Sequence, residues 1–158
     1  MDATGTVEAI GVMGWGITGG VICLALSAAG AAMGTYMAAA AAVGAWKKCY
    51  LQNKQAPFLL LTFVGFPLSQ VLYGMVLLFA MFGQAQAGYP LLALGALAGF
   101  TIGLSAFLQG RVGAAAIDAQ TETGQGFANY FLALGIIEVT AIFTMVFTFL
   151  AILEFKLP

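Results

Sequence analysis

Long uncharged stretches dominate the hydrophobic and polar pattern of this chain. The first runs from Ala9 to Trp46, and the second runs from Gln55 to Gly110. An α-helix rises about 1.5 Å per residue, so about 20 apolar residues cross the roughly 30 Å hydrocarbon core of a bilayer. No strong turn signal divides the first stretch, which predicts one long helix that extends beyond the lipid. The pattern is typical of an all-α membrane protein.

Polar clusters divide the rest of the chain. The segment GQAQAGYP at 83–90 gathers Gly, Gln and Pro between apolar runs, and DAQTETGQG at 118–126 is a second polar connector. The sequence therefore predicts four transmembrane helices, near residues 9–46, 57–84, 88–118 and 126–155. They form two tandem helical hairpins, the first domain at 1–84 and the second at 85–158.

The two hairpins share an order of features. LSAAGAAMG at 26–34 parallels LSAFLQGRVG at 104–113, and Gln70 occupies in helix two the place of Glu138 in helix four. This order indicates a parallel repeat. Helices one and three carry small residues at steps of three or four, which let helix backbones approach closely in lipid. We therefore expect these two helices in a crowded inner layer, with the bulkier helices two and four facing lipid.

Composition narrows the function classes. The 158 residues are 62% hydrophobic and 7% charged, whereas about a quarter of the residues of a soluble domain are charged. The few, scattered basic residues do not form a face for nucleic acid, and a chain without histidine cannot use Ser-His-Asp or Cys-His catalysis. The segment GWGITGG at 14–20 lacks the strand-to-helix context of a dinucleotide loop. We predict no catalytic residue and no organic cofactor.

Lysine and arginine predict the orientation. Lys47, Lys48 and Lys54 lie between helices one and two, and Arg111 lies towards the connector between helices three and four. The positive-inside rule places both connectors in the cytoplasm and both termini on the opposite side of the membrane. Lys156 is a mild contradiction of this orientation.

One acid lies deep in the fourth helix. Glu138, within LGIIEVTAIF at 134–143, is roughly 18 Å from the predicted start of that helix. An ionisable residue at this depth is by default a functional-site hypothesis. The alternative is a protonated acid that only hydrogen-bonds a neighbouring helix.

Other polar groups accompany this acid. Helix two carries Ser69, Gln70 and Tyr73, and Pro67 predicts a kink that can turn backbone carbonyls into ligands. Helix three carries Gln109, which is equally compatible with simple polarity near the membrane surface. A carboxylate with amide, hydroxyl and carbonyl oxygens suits a hard cation, and one negative charge balances one monovalent ion. A proton would need only the carboxylate, so the set favours Na⁺, with H⁺ as the alternative.

The conjunction of motifs resembles a known family. PLSQVLYG in helix two, LQGRVGAAA in helix three and IIEVTA in helix four, on two fused hairpins with glycine-rich helices, are the features that carry the resemblance. The chain resembles the proteolipid of the rotor ring (the K, or c, subunit) of V-type rotary ATPases, in its sodium-translocating bacterial branch. The resemblance implies a homo-oligomeric ring in the plasma membrane.

The resemblance also implies roles for individual residues. Glu138 would be the ion-carrying carboxylate, and Tyr73 would hydrogen-bond it when the site is loaded. The implied metal ligands are Phe66 through its backbone oxygen, Ser69, Gln70, Gln109 and Glu138. Ser69 stands where the family more often has Thr, and Thr140 is expected near the site without binding the ion.

The implied mechanism and partners follow from the same family. A membrane-embedded stator would offer ion half-channels and an arginine, and central-stalk subunits would dock on cytoplasmic connectors such as KKCYLQNKQ at 47–55. The chain would be no enzyme on its own, but a lipid-embedded subunit of an ion-translocating ATPase. Two rival interpretations are a small four-helix cation-coupled exporter and a non-catalytic tetraspan scaffold.

Overall fold

The computed structural model describes residues 3–85 and 88–154. Its helices are α1 (Ala3–Leu51), α2 (Leu60–Gly65), α3 (Ser69–Gly83), α4 (Tyr89–Thr123) and α5 (Phe127–Glu154), and a 3₁₀ turn over Phe66–Leu68 joins α2 to α3. Four helical segments are long and apolar enough to cross a membrane, the second being α2, the turn and α3 together. The described ranges contain no strand, so the chain is an all-α, multi-pass membrane protein as predicted.

The first uncharged stretch forms a single long helix, as expected, but the first and third predicted helices end too early in the sequence. α1 continues to Leu51 rather than ending near 46, and α4 continues to Thr123 rather than ending near 118. Hydropathy predicts where a helix leaves the lipid, but the helix itself continues until a residue adopts a non-helical backbone conformation. Left-handed residues provide those stops, Asn53 (φ 54°) after α1 and Gly124 (φ 67°) after α4.

α1 and α4 form an inner layer of two parallel helices in backbone contact. At each of three levels, a Cβ atom added to one glycine would overlap the backbone of its partner. The pairs are Gly19 with Gly95, Gly30 with Gly103, and Gly34 with Gly110. Because the residue numbers of the pairs rise together, the helices run parallel. This contact confirms the expected role of the spaced small residues.

The two predicted hairpins are therefore not separate packing units. The segments 1–84 and 85–158 correspond to α1–α3 and α4–α5, but the most extensive partner of α1 is α4, in the other hairpin. The domain division remains a prediction about the repeat in the sequence.

α3 and α5 form an outer layer. Their bulky side chains point away from α1 and α4, and those with more than half of their surface exposed include Phe79, Leu132, Phe143 and Phe147. Two apolar clusters hold the layers together. One contains Leu77, Ile102 and Ala141, and the other contains Phe63, Ala116 and Leu134. Between these clusters, along α3 and α4, lie the buried polar side chains Gln70, Ser105 and Gln109.

Candidate functional site: a carboxylate held between three helices

Pro67 shapes the second span. It has no backbone N–H, and its ring clashes with the carbonyl four residues earlier in regular α-helix. The chain forms a 3₁₀ turn over Phe66–Leu68, and α3 starts at Ser69, whose backbone N–H donates to the Phe66 carbonyl. The predicted kink is thus a short turn that places Ser69 and Gln70 at the first positions of α3.

The carboxylate of Glu138 accepts hydrogen bonds from three side chains. The hydroxyls of Ser69 and Tyr73, both on α3, each donate to Oε1 over 2.6 Å. On α4, Gln109 Nε2 donates to Oε2 over 2.7 Å. Unpaired charge in apolar surroundings is strongly unfavourable, and hydrogen bonds to an ionised group are stronger than neutral ones. The arrangement therefore stabilises a negative charge between α3, α4 and α5.

Gln109 is fully buried inside the bundle, so it does not belong to the exposed polar surface. Its Nε2 also donates to the Leu134 carbonyl over 3.0 Å, and its Oε1 accepts from Gln70 Nε2 at 3.2 Å. The amide therefore links the carboxylate of Glu138 to the side chain of Gln70.

Gln70 is fully buried as well, and its two amide ends have different surroundings. Nε2 donates to Gln109 Oε1 and, over 3.4 Å, to the hydroxyl of Ser105. Oε1 is buried with no hydrogen-bond partner. Leaving a buried acceptor unsatisfied costs about 1–3 kcal/mol, so this oxygen is suited to a group that the chain does not supply.

The Ser69 hydroxyl lies between two acceptors. Besides Glu138 Oε1, the Phe66 carbonyl oxygen lies 2.9 Å from Ser69 Oγ. A hydroxyl has one proton, so it donates to only one of these oxygens at a time. Oxygen atoms from Phe66, Ser69 and Glu138 thus lie close together, and oxygen atoms of this kind are the ligands that hard cations prefer.

The site is closed on one side and open on the other. Gln70 and Gln109 are buried against the inner layer, whereas Ser69, Tyr73 and Glu138 keep part of their surface exposed. These three residues lie on the outer helices. The carboxylate is therefore reachable from the outer face of the bundle, with Tyr73 beside it.

The structure does not place Thr140 with this site. It lies two residues beyond Glu138, about 200° around the helix, on the exposed side of α5. Its carbonyl accepts a hydrogen bond from the Thr144 hydroxyl over 2.9 Å. The expectation that Thr140 supports the site does not hold, because residues two apart on a helix face different directions.

Sequence reasoning missed Ser105. This residue is 5% exposed, and its hydroxyl donates to the Ile137 carbonyl over 3.2 Å. A signal was present, because Ser105 precedes Gln109 by four residues and such residues share a helix face. The backbone carbonyls of Leu134 and Ile137 could not be found in this way, since every residue has one.

Replacing Tyr73 by Phe removes one of the two hydroxyls on Glu138 Oε1 and leaves the ring of the side chain in place. We expect a water-soluble carbodiimide to label Glu138 several-fold faster in Tyr73→Phe, because the carboxylate is less firmly held. The labelled peptide, quantified by mass spectrometry, measures this rate. Tyr36→Phe is the control, since Tyr36 is 73% exposed on α1. Equal labelling of both variants would contradict a role for the Tyr73 hydroxyl.

Fold and site together define a class: a multi-pass membrane protein with a hydrogen-bonded carboxylate between its helices. Residues 92–151 match the family model of the C subunit of ATP synthase. The matched range contains Gln109 and Glu138 but not the first hairpin. No curated protein gives a significant match to the chain.

The chain is thus similar to this proteolipid family over its second hairpin. Its members are non-catalytic membrane subunits of rotary ATPases, and they assemble into oligomeric rings that translocate ions.

Proposed function

We propose that this protein is the rotor-ring subunit of a V-type, sodium-translocating ATPase, and that it carries Na⁺ on Glu138. The observation that carries the proposal is the buried Oε1 of Gln70, which has no partner although its amide belongs to the hydrogen-bond network of Glu138. A cation at this point would satisfy that oxygen and neutralise the carboxylate in one step.

The atoms available as ligands suit Na⁺ as the transported substrate. The proposed ligands are all oxygen atoms: the Phe66 carbonyl, Ser69 Oγ, Gln70 Oε1, Gln109 Oε1 and the Glu138 carboxylate. Hard cations prefer such ligands. The hydrogen-bonded partners of Glu138 are all neutral side chains, so the site has one formal charge and balances a monovalent ion.

Gln70 also supports sodium over a proton. A proton on Glu138 would neutralise the charge but would leave the buried Gln70 oxygen without a partner. Proton transport by the same rotor ring is the alternative, and it predicts that the amide oxygen of Gln70 is dispensable.

The asymmetry of the repeat supports the V-type assignment. The second hairpin carries Glu138, while the first carries Gln70 at the corresponding place, so each double hairpin has one mid-membrane carboxylate. The two side chains come from different halves of the chain and join one network through Gln109. A chain of two fused hairpins thus forms one ion site instead of two.

The geometry suggests how translocation is coupled to rotation. With Na⁺ bound, the site is neutral, so the ring can turn through lipid. Because Glu138 is reachable from the outer face, an arginine on the stator could attract the carboxylate and release the ion. The proposed contact with the central stalk is at the connector end of the inner layer, where Lys48 on α1 pairs with Glu122 on α4 at 2.8 Å. The positive connector residues support the proposal that this end faces the cytoplasm of a bacterial cell.

Sodium protection of carbodiimide labelling tests the proposal directly. We expect the reagent to modify Glu138 in the purified protein and increasing Na⁺ to suppress the reaction at moderate pH, because the bound ion displaces the proton that the reagent needs. K⁺ at equal ionic strength is the ion control. Labelling that Na⁺ leaves unchanged would refute the sodium site and favour the proton alternative.

A pair of glutamine variants makes this test specific to the site. Gln120, like Gln70, is on a membrane-crossing segment and has a buried Oε1 without a hydrogen-bond partner. Gln70→Met should abolish protection by moderate Na⁺, whereas Gln120→Met should retain it. Equal protection in the two variants would show that Gln70 Oε1 is not a ligand.

A further inference from the structure

Ser105 occupies a junction between the backbone of α5 and the side chain of Gln70. Its hydroxyl donates to the Ile137 carbonyl, next to Glu138, and accepts a hydrogen bond from Gln70 Nε2. We infer that Ser105 is a positioning residue that fixes the Gln70 amide with its oxygen towards the ion, and thereby sets the preference of the site for Na⁺ over protons. This inference rests on the proposed function.

The direction of each hydrogen bond follows from the carboxylate. Glu138 Oε2 and the Leu134 carbonyl can only accept, so the end of the Gln109 amide that faces them must be Nε2. Gln109 Oε1 then faces Gln70. Because this oxygen is an acceptor, the Gln70 atom that faces it must be the donor Nε2. The free oxygen of Gln70 is therefore a consequence of the charge on Glu138, transmitted through two amides.

Ser105 enforces the same orientation independently. Its single proton is engaged by the Ile137 carbonyl, so it presents a lone pair to Gln70. Two acceptors from α4, Ser105 Oγ and Gln109 Oε1, thus converge on one nitrogen of Gln70. Without the hydroxyl, a single hydrogen bond would hold the amide, and its N–H group could turn towards the ion. Such a turn repels Na⁺ but leaves a proton on Glu138 undisturbed.

The first half of the chain supplies a matched control. Ser27 in LSAAGAAMG corresponds to Ser105 in LSAFLQGRVG, and Ser27 is fully buried. Its hydroxyl donates over 2.8 Å to the Cys23 carbonyl within the same helix. Ser27→Ala therefore removes a buried serine hydroxyl at the equivalent position of the inner layer, outside the network of Glu138.

The experiment measures the Na⁺ concentration that halves carbodiimide labelling of Glu138 in the intact protein, over a range of pH. We expect Ser105→Ala to raise this concentration about fivefold to tenfold, the effect of one lost hydrogen bond. In the absence of Na⁺, labelling of Ser105→Ala should keep the pH profile of the wild type. A variant with a general structural defect would not preserve this profile. Ser27→Ala should behave as wild type, and Ser105→Thr, which keeps the hydroxyl, should largely restore protection.

The outcomes separate this inference from the proposed function. If Na⁺ protects the wild type and protects Ser105→Ala equally well, the role of Ser105 is refuted while the sodium site stands. If Na⁺ does not protect the wild type, both fail. Should Ser105→Ala not assemble, Ser105→Cys provides the same test, because a thiol of similar size is a weak hydrogen-bonding group. Wild-type Na⁺ protection in Ser105→Cys would equally overturn the inference.

Discussion

Replacing Glu138 by Gln should abolish ion-coupled turnover of the assembled ATPase and leave the ring itself intact. Glutamine has nearly the same shape, and its amide oxygen can still accept from Ser69 and Tyr73. It lacks the negative charge, so it can neither hold a cation nor release one to an arginine of the stator. We expect Na⁺-stimulated ATP hydrolysis and Na⁺ uptake into vesicles to fall to background.

Glu154→Gln is the matched control, because Glu154 is an exposed acid at the far end of the same helix. It should retain wild-type turnover. Electrophoresis of both variants in mild detergent should show the same oligomer, so loss of activity cannot be ascribed to loss of the ring. Ion-dependent hydrolysis that survives Glu138→Gln would favour the tetraspan scaffold, and a dimer that exports organic cations would favour the exporter.

Much of the architecture is encoded in local features of the sequence. Uncharged length predicts the four spans. Spaced small residues predict that helices one and three lie in a crowded inner layer, because small side chains let helix backbones approach closely. Pro67 predicts the break in the second span from covalent geometry alone. These predictions need no knowledge of which helices are neighbours, which explains why the structure confirms them.

The details of the site depend on how the helices are aligned, which the sequence does not specify. Glu138 can be singled out by its position among apolar residues in the sequence, but the distance between it and Gln109 depends on the relative height and rotation of α4 and α5. The same uncertainty explains the failure for Thr140, which is close to Glu138 in the chain but faces the exposed side of α5. The role of Ser105 depends on the Ile137 carbonyl and Gln70 lying on either side of it, and these come from two other helices.

The inner layer fixes that alignment. Gly103 lies two residues before Ser105, and Gly110 directly follows Gln109, so backbone contacts with α1 bracket the part of α4 that enters the site. A displacement of α4 by the width of a methyl group would move Gln109 relative to Glu138 and disturb the hydrogen bond of 2.7 Å between them. Stability of the bundle and geometry of the site therefore depend on the same glycines.

The second large expected effect follows from this contact. Gly30→Ala should destabilise the protein by about 1–3 kcal/mol or more, because its Cβ would overlap the backbone of Gly103, and backbone cannot move aside as a flexible side chain can. Gly44→Ala, in the same helix, is the matched control, since its Cβ would meet no other group within 4 Å. Replacing an unconstrained helical glycine by alanine is favourable by about 1 kcal/mol, so the two variants should shift the thermal unfolding temperature in opposite directions. Circular dichroism on heating, together with recovery of the intact oligomer, measures both; a Gly30→Ala protein as stable as Gly44→Ala would mean that α1 and α4 do not touch in the membrane.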